Sequence, residues 1–252
     1  MNLIRLWKNH DVTGTEVSDK MMAEVIQMIK FEHIMKRIIY ILFVGGLLCL
    51  GSCNNKQVSQ KKDAQELAGK TNNKELNEIL KQFESYVKNK DKEKAASYYE
   101  KVVGMYSQEQ DYDGILSCSE QMLTIDSAYI KAYESIQYVL WKKGQYDEAL
   151  DVGAVIDKLA EETNDWQKKH INFFFTGMIA FDAKDYNLAL NMLGAAIKDE
   201  NVVKEYGYLA YCYLSATYKK LGNDRMADAL KETALKINDG AEDYIKKLVD
   251  RE

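Results

Sequence analysis

KGQYDEAL, residues 143–150, decides the fold of this chain, because versions of it recur along the sequence. The other versions are AKDYNLAL at 183–190, LGNDRMAD at 221–228 and a weaker EQDYDGIL at 109–116. The equivalent positions in the four versions are Tyr112, Tyr146, Tyr186 and Asp224, which follow each other at spacings of 34, 40 and 38 residues. Recurrence at such a spacing predicts a stack of similar structural units.

Between these stretches the chain predicts helices. From Glu75 onward apolar residues recur at helical spacing, and the 252 residues contain no proline. Short polar breaks separate the predicted helices at 89–91, 110–111, 126–127, 143–144, 164–165, 183–185, 199–201, 222–223 and 238–240. The sequence therefore predicts an all-α chain built from helical hairpins.

The recurring stretch resembles the turn of a tetratricopeptide repeat hairpin. Gly144 and Gly222 would supply a positive φ after the first helix of a pair. The resemblance implies close helix crossings at the small residues Ala149, Ala189 and Ala227. It implies a TPR-like α-solenoid of about four hairpins, although the proline that usually ends each repeat is missing here. The two longer spacings predict extra turns or loops near residues 161–166 and 199–203.

Both ends of the array have a predicted cover. Glu75–Lys88 carries apolar residues on one face and would pack on the first hairpin as an N-terminal cover. Gly240–Glu252 has the same amphipathic pattern and would cap the last hairpin. The helical repeat domain is thus expected over residues 74–252.

Ahead of the array, LGSC at 50–53 closes a run of 13 mainly apolar residues that follows Lys36 and Arg37. A charged start, an apolar run and a small-residue cleavage site are typical of a secretory signal peptide. LGSC resembles the lipobox of bacterial lipoproteins, which implies a signal peptide over 35–52 and lipidation at Cys53. A transmembrane helix is the alternative. However, 13 residues span about 20 Å, and the hydrocarbon core is about 30 Å thick.

The flanks of this signal are interpreted separately. Residues 1–34 would lie before the true translation start, at Met28 or Met35; the alternative is a cytoplasmic extension with an amphipathic helix near 21–30. Residues 54–73 are polar without apolar periodicity, so 53–73 is expected to be a lipidated cysteine and a flexible tether.

Composition argues against two function classes. Residues 53–252 have a net charge of −6 and contain only two arginines, Arg225 and Arg251, which disfavours nucleic-acid binding. The same range has one histidine, His170, and shows neither a G-x-S-x-G elbow nor a glycine-rich phosphate loop. We expect no catalytic residues, metal, cofactor or small-molecule substrate. Cys118 and Cys212 are interpreted as buried free thiols rather than a disulfide.

One predicted helix is apolar on almost every side. Within residues 171–181, Phe174, Met178 and Phe181 share a face. They are either core residues or part of an inner groove, because the resemblance implies a groove built from the first helices of successive repeats. Further groove residues implied in this way are Tyr138, Trp141, Tyr211 and Lys219.

Together these features predict a lipid-anchored adaptor of the cell envelope that binds a protein or peptide partner. Asn54 follows Cys53, where some lipoproteins carry an aspartate that holds them at the inner membrane. The resemblance thus favours the outer membrane, facing the periplasm. The alternative is a structural subunit of an outer-membrane assembly or secretion complex.

Overall fold

Ten α-helices and no strands make up residues 74–251, the part that the computed structural model describes. The helices are α1 (Lys74–Lys88), α2 (Lys92–Glu109), α3 (Tyr112–Ile125), α4 (Ile130–Lys142), α5 (Tyr146–Glu162), α6 (Trp166–Asp182), α7 (Tyr186–Ala196), α8 (Glu200–Lys220), α9 (Asp224–Leu235) and α10 (Ala241–Val249). They belong to one compact unit that spans residues 72–252. The predicted all-α class is confirmed.

Consecutive helices pack as neighbours, which gives four hairpins: α2/α3, α4/α5, α6/α7 and α8/α9. Linkers of two to five residues join packed neighbours, so their directions alternate. The α1 helix packs on α2 and α3, and α10 packs on α8 and α9, as predicted for the two covers. Within residues 74–251 the fold is therefore an α-helical repeat solenoid.

Polar residues at the linkers start the helices. Asp111 Oδ1 accepts the Gly114 N–H at 2.9 Å, and Asp185 Oδ1 accepts the Leu188 N–H at 3.0 Å. The same side-chain cap starts the helices that follow Asp91, Asp165, Asp199 and Asn223. Each cap satisfies an N–H that has no partner within its helix, a contribution of about 1 kcal/mol.

The hairpin turns use a left-handed residue at one recurring position. Gly144 and Gly222 have φ of 73° and 75°, which confirms the prediction for both. In the other two hairpins Gln110 and Lys184 hold this position, with φ of 56° and 65°. A non-glycine residue is strained in this region, so glycine is the favourable choice there.

Small residues allow the paired helices to approach closely. Ala149, Ala189 and Ala227 are all buried at the crossings. A Cβ atom at Gly177 of α6 would lie 2.6 Å from Leu193 Cγ and 3.0 Å from the Leu193 backbone nitrogen of α7. Leu193 thus packs directly on the α6 backbone.

Longer helices, not longer loops, account for the two longer repeat spacings. The α5 and α6 helices have 17 residues each and are joined by residues 163–165 alone. The α8 helix has 21 residues and begins at Glu200, so residues 200–203 form its first turn. Of the two expected alternatives, extra turns or loops, the structure shows extra helical turns at both places.

The apolar core forms two clusters along the array. One lies among α1 to α4 around Phe83, Tyr99 and Met122, and the other lies among α6 to α10. Cys118 and Cys212 are buried free thiols, one in each cluster, as the sequence predicts.

No helix between residues 74 and 251 is both long and apolar enough to cross a bilayer. The interpretations of 1–34, 35–52, Cys53 and the tether lie outside the described residues.

We expect Gly144→Ala to lower the free energy of unfolding by about 1 kcal/mol, because alanine is strained at a φ of 73°. The matched control is Gly104→Ala within α2, where a Cβ meets nothing within 4 Å. That change should raise stability by about 0.5–1 kcal/mol. Urea unfolding followed by circular dichroism measures both. If the two substitutions change the free energy of unfolding equally, alanine is not strained at position 144.

Candidate functional site

A groove runs along the first helices of successive hairpins. Its first cavity, of about 480 Å³, lies between α2 and α4, with Ile115 of α3 at its base. Its second cavity, of about 420 Å³, is lined by α4, α6 and α8. Glu134 and Tyr138 line both cavities, so the two lie next to each other. We call the two adjoining cavities the groove.

Aromatic and aliphatic side chains line much of the second cavity. They come from three different helices: Tyr138 and Trp141 from α4, Ile171 and Phe175 from α6, and Tyr206 from α8. The Tyr138 and Trp141 rings meet edge to face with centroids 6.5 Å apart, and those of Phe175 and Tyr206 do so at 5.7 Å. These rings form a partly exposed aromatic wall, and Tyr138 is 39% exposed.

The end of this wall is fixed by hydrogen bonds. Trp141 Nε1 donates to Asp182 Oδ2 at 2.8 Å, and Arg251 donates to the other oxygen of Asp182 at 3.1 Å. The Lys142 ammonium lies 4.5 Å from the Trp141 ring centroid. The indole is thereby held between α4, α6 and the C-terminal residues.

Charged residues at the groove occur mostly as pairs. Lys168 Nζ of α6 lies 2.9 Å from Glu134 of α4. Lys131 of α4 forms an ion pair with Glu100 of α2. Exposed pairs of this kind contribute little stability. They leave an apolar groove with a charged rim of mixed sign.

The structure separates the sequence-predicted groove residues into two groups. Tyr138 and Trp141 line the second cavity, as predicted. Phe174, Met178 and Phe181 are instead 1%, 4% and 3% exposed. They lie in the core cluster, so the core alternative is the correct one for these three residues and their assignment to the groove lining is wrong.

The packing of α6 against α8 explains this correction. The two helices lie side by side. Phe174 stacks on Tyr206 with ring centroids 4.9 Å apart, and Phe181 meets Tyr213 edge to face at 5.3 Å. This side of α6 faces a neighbouring helix and leaves no space for a partner.

Tyr211 and Lys219 are not among the residues that line the two cavities. Tyr211 is half-buried and packs against the core cluster. Lys219 is exposed near the end of α8, where its ammonium lies 2.7 Å from Asp224 Oδ1. The structure does not bring these two residues together with Tyr138 and Trp141.

Sequence reasoning missed Ile171 and Phe175, which line the cavity from α6. Together with Ile179 they follow each other at intervals of four residues on a helix, which is one face. That spacing indicates an apolar helix face and could have identified these residues. However, the neighbouring face with Phe174 has the same apolar spacing, so the spacing does not show which face lines the cavity. Tyr206 lines the same cavity from α8.

A polar cluster lies beneath the second cavity, where α4, α5 and α6 meet. Asn172 Nδ2 of α6 donates to the Gly153 carbonyl at 2.8 Å and to Asp157 Oδ1 at 2.7 Å, both on α5. Gln137 Nε2 of α4 donates to Thr176 Oγ1 at 3.4 Å. The residues Asn172, Gly153, Asp157, Gln137 and Thr176 are here called the polar floor.

The polar floor requires a glycine on α5. A Cβ atom at Gly153 would lie 2.7 Å from Gln137 Nε2 and 2.8 Å from Thr176 Oγ1. Real Cβ atoms do not approach other atoms this closely, so the absence of a side chain at Gly153 lets the polar groups of α4 and α6 meet over α5.

Two groups of the polar floor are poorly satisfied. Asn172 Oδ1 is buried and has no hydrogen-bond partner. Burial raises the pKa of Asp157 from 3.8 to about 6; the Asn172 hydrogen bond and the charge of Lys169 oppose this shift, and Glu161 adds to it. An Asp157 carboxylate is therefore held at the polar floor at some expense of stability.

The described residues show little sign of reactive chemistry. Burial raises the pKa of Cys118 to about 12 and that of Cys212 to about 11, so both thiols stay protonated at neutral pH. Between residues 74 and 251, no group of three or more His, Cys, Asp or Glu side chains could hold a metal ion. The geometry of the groove suits binding of an apolar surface.

The raised pKa predicts how stability depends on pH. Because ionising Asp157 is harder in the folded chain than in the unfolded chain, its contribution to stability is full below its unfolded pKa of 3.8 and is lost as pH rises through 6. Asparagine does not ionise, so the free energy of unfolding of Asp157→Asn should not show this loss. Relative to the wild type, it should rise by on the order of 2 kcal/mol between pH 4 and pH 7.

Urea unfolding of both proteins across this pH range measures the difference. Asp147→Asn is the control, since it removes an exposed carboxylate from the same helix. If the difference in free energy of unfolding between the wild type and Asp157→Asn stays constant from pH 4 to pH 7, the pKa of Asp157 is not raised in the folded chain.

Comparisons with known proteins assign no family to the chain. No family model matches it, and no curated protein matches its sequence.

Proposed function

We propose that this chain is a lipid-anchored adaptor of the cell envelope that binds a segment of a partner protein in its groove. The observation that carries the proposal is the pair of adjoining cavities along α2, α4, α6 and α8, with the aromatic wall in the second. Concave apolar surfaces with a few placed polar groups are typical binding sites. In this proposal the chain is a tetratricopeptide-like protein and has no catalytic role.

The charged rim favours an adaptor over a structural subunit of an outer-membrane assembly or secretion complex. A permanent interface would need a large apolar surface. Among residues 74–251, the large apolar side chains classed as exposed are Tyr138, Trp166, Leu221, Met226 and Ile237. Of these five, Tyr138 lines the groove. The apolar surface of the groove is thus narrow and bordered by ion pairs.

The proposed location rests on the sequence ahead of the array. Lys36 and Arg37, the apolar run and LGSC at 50–53 support export, cleavage before Cys53 and lipidation of its thiol. The tether of residues 54–73 would span about 25 Å as a flexible chain. The helical array would then stand clear of the lipid headgroups, at the periplasmic face of an outer membrane.

Metabolic labelling with an alkyne fatty acid tests the anchor. We expect label on the wild-type chain and no label on Cys53→Ser, because the Cys53 thiol is the acylation site in this proposal. Cys49→Ser is the matched control, since it removes a neighbouring thiol within the apolar run. It should keep the label. Labelled Cys53→Ser protein would rule the anchor out.

Site-specific photo-crosslinking tests the groove. A benzoylphenylalanine in place of Tyr138, in cells that express the chain natively, should give one discrete adduct. The same amino acid in place of the exposed Glu232 on α9 is the control and should give none. Adding Phe175→Ala to the Tyr138 crosslinker should reduce the adduct several-fold. An adduct that forms equally from both positions would contradict groove binding.

A further inference from the structure

Polar side chains connect α4 to α6 across the second cavity. Three such contacts are Glu134 with Lys168, Gln137 with Thr176, and Trp141 with Asp182. The last of them is a hydrogen bond of 2.8 Å from Trp141 Nε1, and it holds a ring of the aromatic wall. The lining of the cavity therefore depends directly on where the Asp182 carboxylate lies.

The Asp182 carboxylate is shared between two donors. Its Oδ2 accepts the Trp141 indole N–H, and its Oδ1 lies 3.1 Å from the Arg251 guanidinium. The Asp182 side chain is 14% exposed and that of Arg251 is 51% exposed. An ion pair this exposed contributes little stability. A planar guanidinium nevertheless orients the carboxylate it pairs with, so its effect falls on the oxygen that faces the indole.

Arg251 follows directly on the C-terminal cover, α10. Its backbone N–H donates to the Leu248 carbonyl at 3.4 Å, and its own carbonyl accepts the Lys220 ammonium of α8 at 3.2 Å. The position of Arg251 is thus set by α8 and α10. Through Asp182, which lies 69 residues earlier in the sequence, the cover is connected to the wall of the groove.

A second contact on the Trp141 ring does not replace this connection. The Lys142 ammonium lies 4.5 Å from the ring centroid. A cation over the face of a ring is attracted to that face, and this leaves the direction of the Nε1–H bond within the ring plane open. The hydrogen bond to Asp182 fixes that direction.

We propose that Asp182 and Arg251 are positioning residues for the groove, and that they couple the C-terminal cover to recognition. They hold Trp141 in the orientation in which it completes the aromatic wall. A movement of α10 that withdraws Arg251 releases the Asp182 carboxylate, and with it the indole. This inference rests on the proposed function, since it concerns the regulation of the same site.

Exchange of the Trp141 indole N–H with solvent tests the coupling. The measurement is NMR on the full-length, detergent-solubilised chain with isotope-labelled tryptophan, and Trp141→Phe identifies the signal. Asp182→Ala should speed the exchange about tenfold, because it removes the acceptor. Arg251→Ala should speed it several-fold, and Arg251→Lys should restore part of the protection, since a lysine supplies one cationic donor.

Controls separate positioning from a general loss of stability. Arg225→Ala removes the other arginine of residues 53–252, from an exposed place on α9, and should leave the Trp141 signal unchanged. The exposed Trp166 indole should exchange at one rate in all variants. Backbone amides of α2, which lies in the other core cluster, report general destabilisation and should keep their exchange rates.

The effect on recognition is measured with the Tyr138 photo-crosslinker. Arg251→Ala should reduce the adduct several-fold, and Arg225→Ala should leave it unchanged. An unchanged Trp141 exchange rate in Arg251→Ala would overturn the inference, as would faster exchange together with an undiminished adduct. Both results leave the proposed function standing. Absence of the adduct from the wild-type background removes the proposed function, and the inference falls with it.

Discussion

Close approach of two helices at small residues is the constraint on which the array depends. Leu193 of α7 packs directly on the α6 backbone at Gly177, and Ala189 is fully buried in the same hairpin. A hairpin joined this tightly buries only one face of each helix. Its remaining apolar faces have to be covered by the next hairpin, which is why α1 and α10 are needed at the ends.

The sides of α6 determine where the groove opens. Towards α8, Phe174 stacks on Tyr206, and the two helices are close enough to exclude a ligand. Towards α4, Gln137 and Thr176 meet over Gly153 instead, and a cavity of about 420 Å³ remains above them. A single helix thus supplies core packing to one neighbour and lines a cavity with the other.

The sequence was sufficient for the helices and their turns because these depend on local chemistry. Polar breaks and capping residues such as Asp111 and Asp185 determine where helices begin, and Gly144 and Gly222 reveal the turns through their positive φ. The predicted covers and free thiols are confirmed for the same reason, since each follows from a local apolar pattern.

The lining of the groove depended on tertiary packing instead. Adjacent residues on a helix point about 100° apart, so Phe174 and Phe175 lie on different faces. Both faces carry apolar residues at helical spacing, and the sequence alone does not distinguish them. Which of them is buried depends on how closely α8 approaches α6, and no local pattern encodes that distance. The polar floor was equally invisible, because Gln137, Gly153 and Asn172 come from three helices.

The polar floor is a poor choice for stability alone. Gly153 weakens the middle of α5 by about 0.5–1 kcal/mol, Asp157 carries a pKa raised to about 6 by burial, and Asn172 Oδ1 has no donor. Apolar side chains of similar volume would remove all three penalties. Local rules are broken most often where a protein binds or reacts. Their concentration beneath the aromatic wall, at the level of the second cavity, supports the proposed recognition at this part of the groove.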